Sequence, residues 1–284
     1  MKIKHIIMAL FILMSAIFIN IITYFAAFAL TVLTGGVDVS DAANATVNQS
    51  IFNLLRYICS IAIFGWFYLR GKDFKIFPKH SQDVMLFLLH PSTFIFMLIL
   101  AASIQLGTDG LIAILTFYFK DFFSDYNKMM EAYTAEPSFL FLFTVIILGP
   151  VSEELLFRGL ILRQMKLAVE KSAEQKRLLL ANVLQAALFA LYHGNLIQGI
   201  YAFIFGMLLG DLYIKTDSLI MPICLHILIN GSLFIIPDGF YSNTMLAILI
   251  TPACVPFGVL SYIHIKRKYA KQMIQSSENT SEKQ

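Results

Sequence analysis

The chain has 284 residues, 58% of them hydrophobic and only 14% charged, where soluble domains carry about 25% charged residues. Apolar runs long enough to span a bilayer recur along its whole length, which excludes an ordinary soluble domain and points to an all-α polytopic membrane protein with little outside the membrane. Net charge is +3; the lipid bilayer is the expected partner, and nucleic acid is not.

Residues 6–33 form a first apolar run after Lys2, Lys4 and His5. It far exceeds the ~7–15 residues of a signal-peptide apolar region, so an uncleaved first span is expected. A polar loop with Gly35-Gly36, Asp38 and Asp41 follows, carrying two glycosylation sequons at Asn44 and Asn48. A second span covers 50–69, and Arg70, Lys72, Lys75 and Lys79 mark a basic loop after it. The third span, 84–106, contains His90-Pro91, read as a kink or a helix start. Over 111–126, Leu111, Leu115, Tyr118, Phe119, Phe122 and Tyr126 recur at helical spacing between charged residues, which predicts an interfacial amphipathic helix. A fourth span covers 138–162, then come basic residues from Arg163 to Arg177. Spans at 178–194, 196–214, 218–235 and 244–263 complete a set of about eight, and a basic tail follows whose polar, Ser-rich end is expected to be disordered.

Lys and Arg concentrate in the amino terminus, the 70–79 loop, the 163–177 loop and the tail, and are missing from 34–49 and 236–243. By the positive-inside rule both termini are expected in the cytoplasm, and a bacterial cytoplasmic membrane is the expected location. Cys59, Cys224 and Cys254 lie in apolar segments without a CxxC pair and read as core residues.

The chemistry-bearing residues sit in the second half. Gly149-Pro150-Val151-Ser152-Glu153-Glu154-Leu155-Leu156-Phe157-Arg158 places two carboxylates and a guanidinium inside an apolar span, where ionisable groups are costly and usually functional. Residues four apart share a helix face, and three such pairs occur: Glu154 with Arg158, Phe189 with His193, and His226 with Asn230. Glu153 is turned about 100° from Glu154. Of six histidines only His90, His193 and His226 fall within apparent spans. Helical rise puts Glu153, His193 and His226 at compatible depths. Pro150 and Pro222 each lie within about a turn of a site residue, and each removes a backbone donor and clashes with the carbonyl of Ile146 or of Ser218. This is read either as an ordinary membrane-helix kink, the expectation for each proline alone, or as a broken helix lining a cavity.

These groups fit peptide hydrolysis inside the membrane. Glu153 would be the general base on a water, Glu154–Arg158 a structural pair, and His193, His226 and Asn230 donors to the developing oxyanion. In a second version Glu153, His193 and His226 hold a zinc ion that activates the water; the HExxH signature is absent. Other classes use the same groups: a membrane-helix clasp in a non-catalytic scaffold or immunity protein, or a transporter or ion pathway, against which the lack of an evident inverted repeat weighs mildly.

Taken together the motifs resemble the CAAX prenyl protease and bacteriocin-processing (CPBP, or Abi) family of intramembrane proteases. EExxxR stands here as Glu153-Glu154-Leu-Leu-Phe-Arg158, FxxxH as Phe189-Ala-Leu-Tyr-His193 and HxxxN as His226-Ile-Leu-Ile-Asn230. The segments Gly206–Tyr213 and Thr216–Pro222 are also similar to the family. The resemblance covers about 138–235 as a catalytic core; 1–137 would be amino-terminal spans with the interfacial helix, 236–263 a last span and 264–284 a cytoplasmic polar tail. It implies a CAAX-protease-like helical core with a cavity open to the cytosol, Glu153 as activating acid with the other five residues in support, and a peptide or membrane-protein substrate. It leaves open whether a metal takes part, and whether the role is CAAX-type processing, bacteriocin self-immunity or peptide maturation.

Overall fold

The computed structural model describes residues 2–35, 48–70, 81–134, 138–169, 174–235 and 244–281, and their regular structure is helical throughout. In chain order the helices are α1 (Ile3–Gly35), α2 (Gln49–Arg70), α3 (Ser81–Leu89), α4 (Pro91–Tyr118) and α5 (Lys120–Thr134), then α6 (Phe139–Ala168). They continue with α7 (Glu174–Tyr192), α8 (Leu196–Thr216), α9 (Ile220–Leu233) and α10 (Thr244–Ser281). Helices α1, α2, α4, α6, α8 and α10 are long and apolar enough to cross a membrane, and the protein is an integral membrane protein. The expected set of about eight also counted α7 and α9. Helix α7 opens on Glu174-Gln175-Lys176-Arg177, and α9 is apolar but has only 14 residues.

The chain packs as two compact units, one of Met1–Ile76 with Glu136–Leu219 and one of Phe77–Ala135 with Ile220–Gln284. In the first unit, α1 runs antiparallel to α6. The Lys2 N–H donates to the Ala168 carbonyl at 2.7 Å, and His5 Nδ1 meets Gln164 Oε1 at 2.9 Å. Helix α2 runs parallel to α6. The Ser50 and Ser138 hydroxyls at the two helix starts are 3.0 Å apart; further along, Tyr57 lies on Gly149 and Tyr68 on Gly159. Helices α7 and α8 form a hairpin. Gly194 turns the chain at φ +67°, a conformation favouring glycine, and Asn195 caps α8 by accepting from the Gln198 N–H at 3.0 Å.

In the second unit α4 starts at Pro91, with His90 as its cap accepting from the Ser92 N–H at 3.2 Å, so His90-Pro91 is a helix start. Helix α10 packs along α4. Phe96 stacks on His264 with ring centroids 3.8 Å apart, and Lys268 Nζ reaches Thr93 Oγ1 at 3.1 Å.

Several expectations change. The helix expected over 111–126 is divided at Phe119: residues 111–118 extend α4, and a separate helix begins at Lys120. The tail end expected to be disordered continues α10 as far as Ser281, since adding a residue to an existing helix is far easier than nucleating one. Pro222 does not break a helix, because α9 begins at Ile220 and a proline in the first turn removes no intrahelical bond. Of the cysteines, Cys254 is buried but Cys59 and Cys224 are only half-buried. Asn48 is a helix cap, its Oδ1 accepting from the Ser50 and Ile51 N–H groups. The Asn44 sequon, the basic residues Lys72, Lys75 and Lys79, and the 236–243 loop lie outside the described residues.

Candidate functional site

Helix α6 carries Gly149–Arg158 and stays continuous through Pro150. Widened π turns at Thr144–Leu148 and Leu155–Ile161 flank an α segment, Gly149–Glu154. The first of these accommodates the proline ring where a regular helix would clash with it, and such turns are frequent at functional sites.

Glu154 and Arg158 are both fully buried, and Arg158 Nη1 donates to Glu154 Oε1 at 2.8 Å. The other guanidinium arm donates to the Gly206 carbonyl of α8 at 3.1 Å, and the group lies 4.8 Å from the centroid of Phe189 on α7. Gln185 of α7 donates to the same Gly206 carbonyl at 2.8 Å and to Asn182 Oδ1 at 2.8 Å; Asn182 donates to the Met207 carbonyl at 2.8 Å. The ion pair thus belongs to a polar chain joining three helices. Glycine makes this possible: a Cβ on Gly210 would stand 1.9 Å from Asn182 Oδ1, and one on Gly206 would stand 3.0 Å from the Ala186 Cβ. Small residues let membrane helices approach this closely.

Glu153 lies on a different face of α6 and is half-buried. It is within electrostatic range of Arg158 and of the Tyr57 and Tyr192 phenols. Tyr57 sits against Gly149, where a Cβ would stand 3.1 Å from its ring and hydroxyl. The Tyr57 hydroxyl accepts from Arg56 Nη2, and the Arg56 guanidinium lies 4.3 Å from the Tyr57 ring centroid. Tyr192 accepts from Asn20 Nδ2 of α1 at 3.2 Å and packs edge-on against Phe157.

His193 follows the last residue of α7. Its Nδ1 is 2.8 Å from the Phe189 carbonyl and its ring meets the Phe189 ring edge-on at 4.7 Å, so the FxxxH spacing becomes a direct contact. His226 and Asn230 lie one turn apart on α9 of the second unit, His226 buried and Asn230 half-buried.

A half-buried carboxylate within electrostatic range of two phenols has the chemistry to accept a proton from water, while the neighbouring carboxylate is held by Arg158. For a metal, the first unit offers the Glu153 carboxylate and His193, which would have to ligate through Nε2. Glu154 is engaged by Arg158. Catalytic zinc takes three protein ligands, and within either unit, among the described residues, no group of three His, Cys, Asp or Glu side chains could hold a metal ion. The described residues of neither unit by themselves make a three-ligand zinc site.

Sequence reasoning missed Arg56, Tyr57, Asn20, Tyr192, Asn182 and Gln185. Arg56 carried a signal, a lone cation inside the 50–69 run. The others are uncharged, and their role arises from contacts between helices distant in sequence.

Residues 135–232 match the family model described as type II CAAX prenyl endopeptidase Rce1-like, a segment running from just before α6 into the last turn of α9. No curated protein and no solved structure matches the chain.

Proposed function

From the premise that the chain carries, over residues 135–232, a domain of the Rce1-like CAAX endopeptidase family, we propose that it is an intramembrane endopeptidase using a water activated by Glu153. Glu153 takes one proton from the water as the oxygen attacks the scissile carbonyl. That proton passes to the leaving amine as the C–N bond breaks, so that peptide and water yield a carboxylic acid and an amine. His226 and Asn230, as the family motif implies, donate to the oxyanion. His193, anchored to Phe189, lines the same reaction space. Glu154 and Arg158 act as the fixed base of the site.

The observation that carries this reading is the unequal treatment of adjacent acids. Glu154 is fully buried against Arg158 at 2.8 Å, whereas Glu153 is half-buried and lies within electrostatic range of the Tyr57 and Tyr192 phenols. A purely structural clasp needs the first acid and gives the second no task.

The test uses purified protein in liposomes with a farnesylated CaaX peptide and its unprenylated counterpart. Cleavage of either by the native chain, and its loss by at least about 100-fold in Glu153→Gln at unchanged unfolding midpoint, is expected. Undiminished cleavage by Glu153→Gln refutes the assignment. Cleavage of the prenylated peptide alone would mark CAAX-type processing, and cleavage of the unprenylated peptide a broader peptide-maturation role. The zinc version, with Glu153, His193 and His226 as ligands, predicts one bound zinc per chain and loss of activity on chelation; full activity in stripped protein rejects it.

A further inference from the structure

A cavity of about 1040 Å³ opens in the first unit between α1, α2 and the Leu160–Gln164 end of α6, larger than most drug-sized pockets. Its two ends differ. One holds Lys4, His5, Arg163 and Gln164. That end is built, not incidental: the Lys2–Ala168 backbone bond and the His5–Gln164 contact tie the start of α1 to the last turns of α6. The rest is apolar, walled by Phe11 and Phe18 of α1 and by Ile63, Phe64 and Phe67 of α2.

Three observations identify the occupant. From Lys4 to Phe18 the helical rise is about 21 Å, which matches one leaflet with its headgroup layer, about 20–22 Å. The apolar walls offer an extended peptide nothing to bond, since the one hydroxyl there, Ser15, already donates to the Phe11 carbonyl at 2.8 Å; the amides of an extended peptide would be left unsatisfied at membrane depth. The cations at one end complement an anionic headgroup, as basic pockets between membrane helices do. None of Glu153, Tyr57, Tyr192 and His193 lines the cavity, so its occupant is not the peptide under hydrolysis.

We infer that this cavity binds one anionic phospholipid, its phosphate at the Lys4–Arg163 end and an acyl chain along Phe11, Phe18 and Phe64. The lipid fills the face where α1 meets α2 and α6, and so braces the helix that carries Gly149–Arg158.

The test uses the full chain, delipidated in detergent, with binding followed by native mass spectrometry and by thermal unfolding. Phosphatidylglycerol is expected to raise the unfolding midpoint saturably and to be retained at one molecule per chain; phosphatidylcholine with the same chains should do neither, and nor should inorganic phosphate. Each surface cation contributes roughly five-fold in affinity, so Lys4→Gln with Arg163→Gln should weaken phosphatidylglycerol binding by about 25-fold. Ser15→Trp, which fills the apolar section, should abolish retention while helical content is kept. Equal effects of the two lipids, an equal effect of free phosphate, or unchanged phosphatidylglycerol binding in either variant overturns the proposal. Because binding is read without any substrate, the outcome is independent of whether Glu153 proves catalytic.

Discussion

Removing the guanidinium of Arg158 tests what holds α6, α7 and α8 together. In Arg158→Met the Glu154 carboxylate stays fully buried without the 2.8 Å bond it receives in the native chain. Breaking one partner out of a buried pair typically destabilises by about 3–5 kcal/mol. In the double variant Glu154→Leu with Arg158→Met neither charge remains to be desolvated. What is then lost is one bond to the Gly206 carbonyl, which keeps the 2.8 Å bond from Gln185, worth about 1 kcal/mol. The contact with Phe189 adds roughly another 0.5–1 kcal/mol. The double variant should therefore sit about 1–2 kcal/mol below the native chain and clearly above the single one. The measurement is a double-mutant cycle on far-UV ellipticity during chemical denaturation in micelles. A single variant as stable as the native chain, or losses that simply add, would show that the pair does not organise the unit.

Further outcomes follow from the same contacts. Gly210→Ala, whose Cβ would stand 1.9 Å from Asn182 Oδ1, should lose about 2–4 kcal/mol through overpacking and broken side-chain bonds. Gly65→Ala, with nothing within 4 Å of its Cβ, should be neutral or gain up to about 1 kcal/mol in the same denaturation assay. Tyr57→Phe keeps the ring against Gly149 and removes the hydroxyl bonded by Arg56; peptide cleavage should fall several-fold, with little change in unfolding midpoint. Gly149→Ala crowds the Tyr57 ring at 3.1 Å and should lower cleavage without disturbing the Glu154–Arg158 pair, seen as an unchanged coupling energy in the cycle above.

What the sequence revealed follows from which interactions are local. Glu154 and Arg158 are four apart on one helix, and His193 stands four residues after Phe189 in the turn that ends α7, so helical spacing places each pair together. His90-Pro91 announces a helix start because a proline needs no donor there. By contrast, the acceptor that joins Arg158 to α8 is the Gly206 carbonyl, a backbone atom that every residue possesses and no pattern marks. Asn182 and Gln185 look like ordinary polar positions of a weakly apolar helix until α8 is laid against them at Gly206 and Gly210. The break at Phe119 eluded a pattern that repeats on both sides of it, and the π turns of α6 leave no signature in a window of apolar residues.

The same geometry explains why two neighbouring glutamates meet different surroundings. Gly149 and Glu153 are four residues apart and share a face. Tyr57 lies on Gly149, so the next turn of that face, Glu153, falls within electrostatic range of the phenol that Arg56 bonds. Glu154 is turned about 100° away, onto the face where Arg158, Phe157 and the α7–α8 hairpin close over it. The lack of a side chain at Gly149 therefore has two effects. It lets α2 run close and parallel to α6, and it brings an aromatic hydroxyl to the one carboxylate that the ion pair leaves on the other side of the helix. A larger residue at 149 would move Tyr57 outward and leave Glu154–Arg158 as it is, which separates the fold's use of α6 from the chemistry proposed for it.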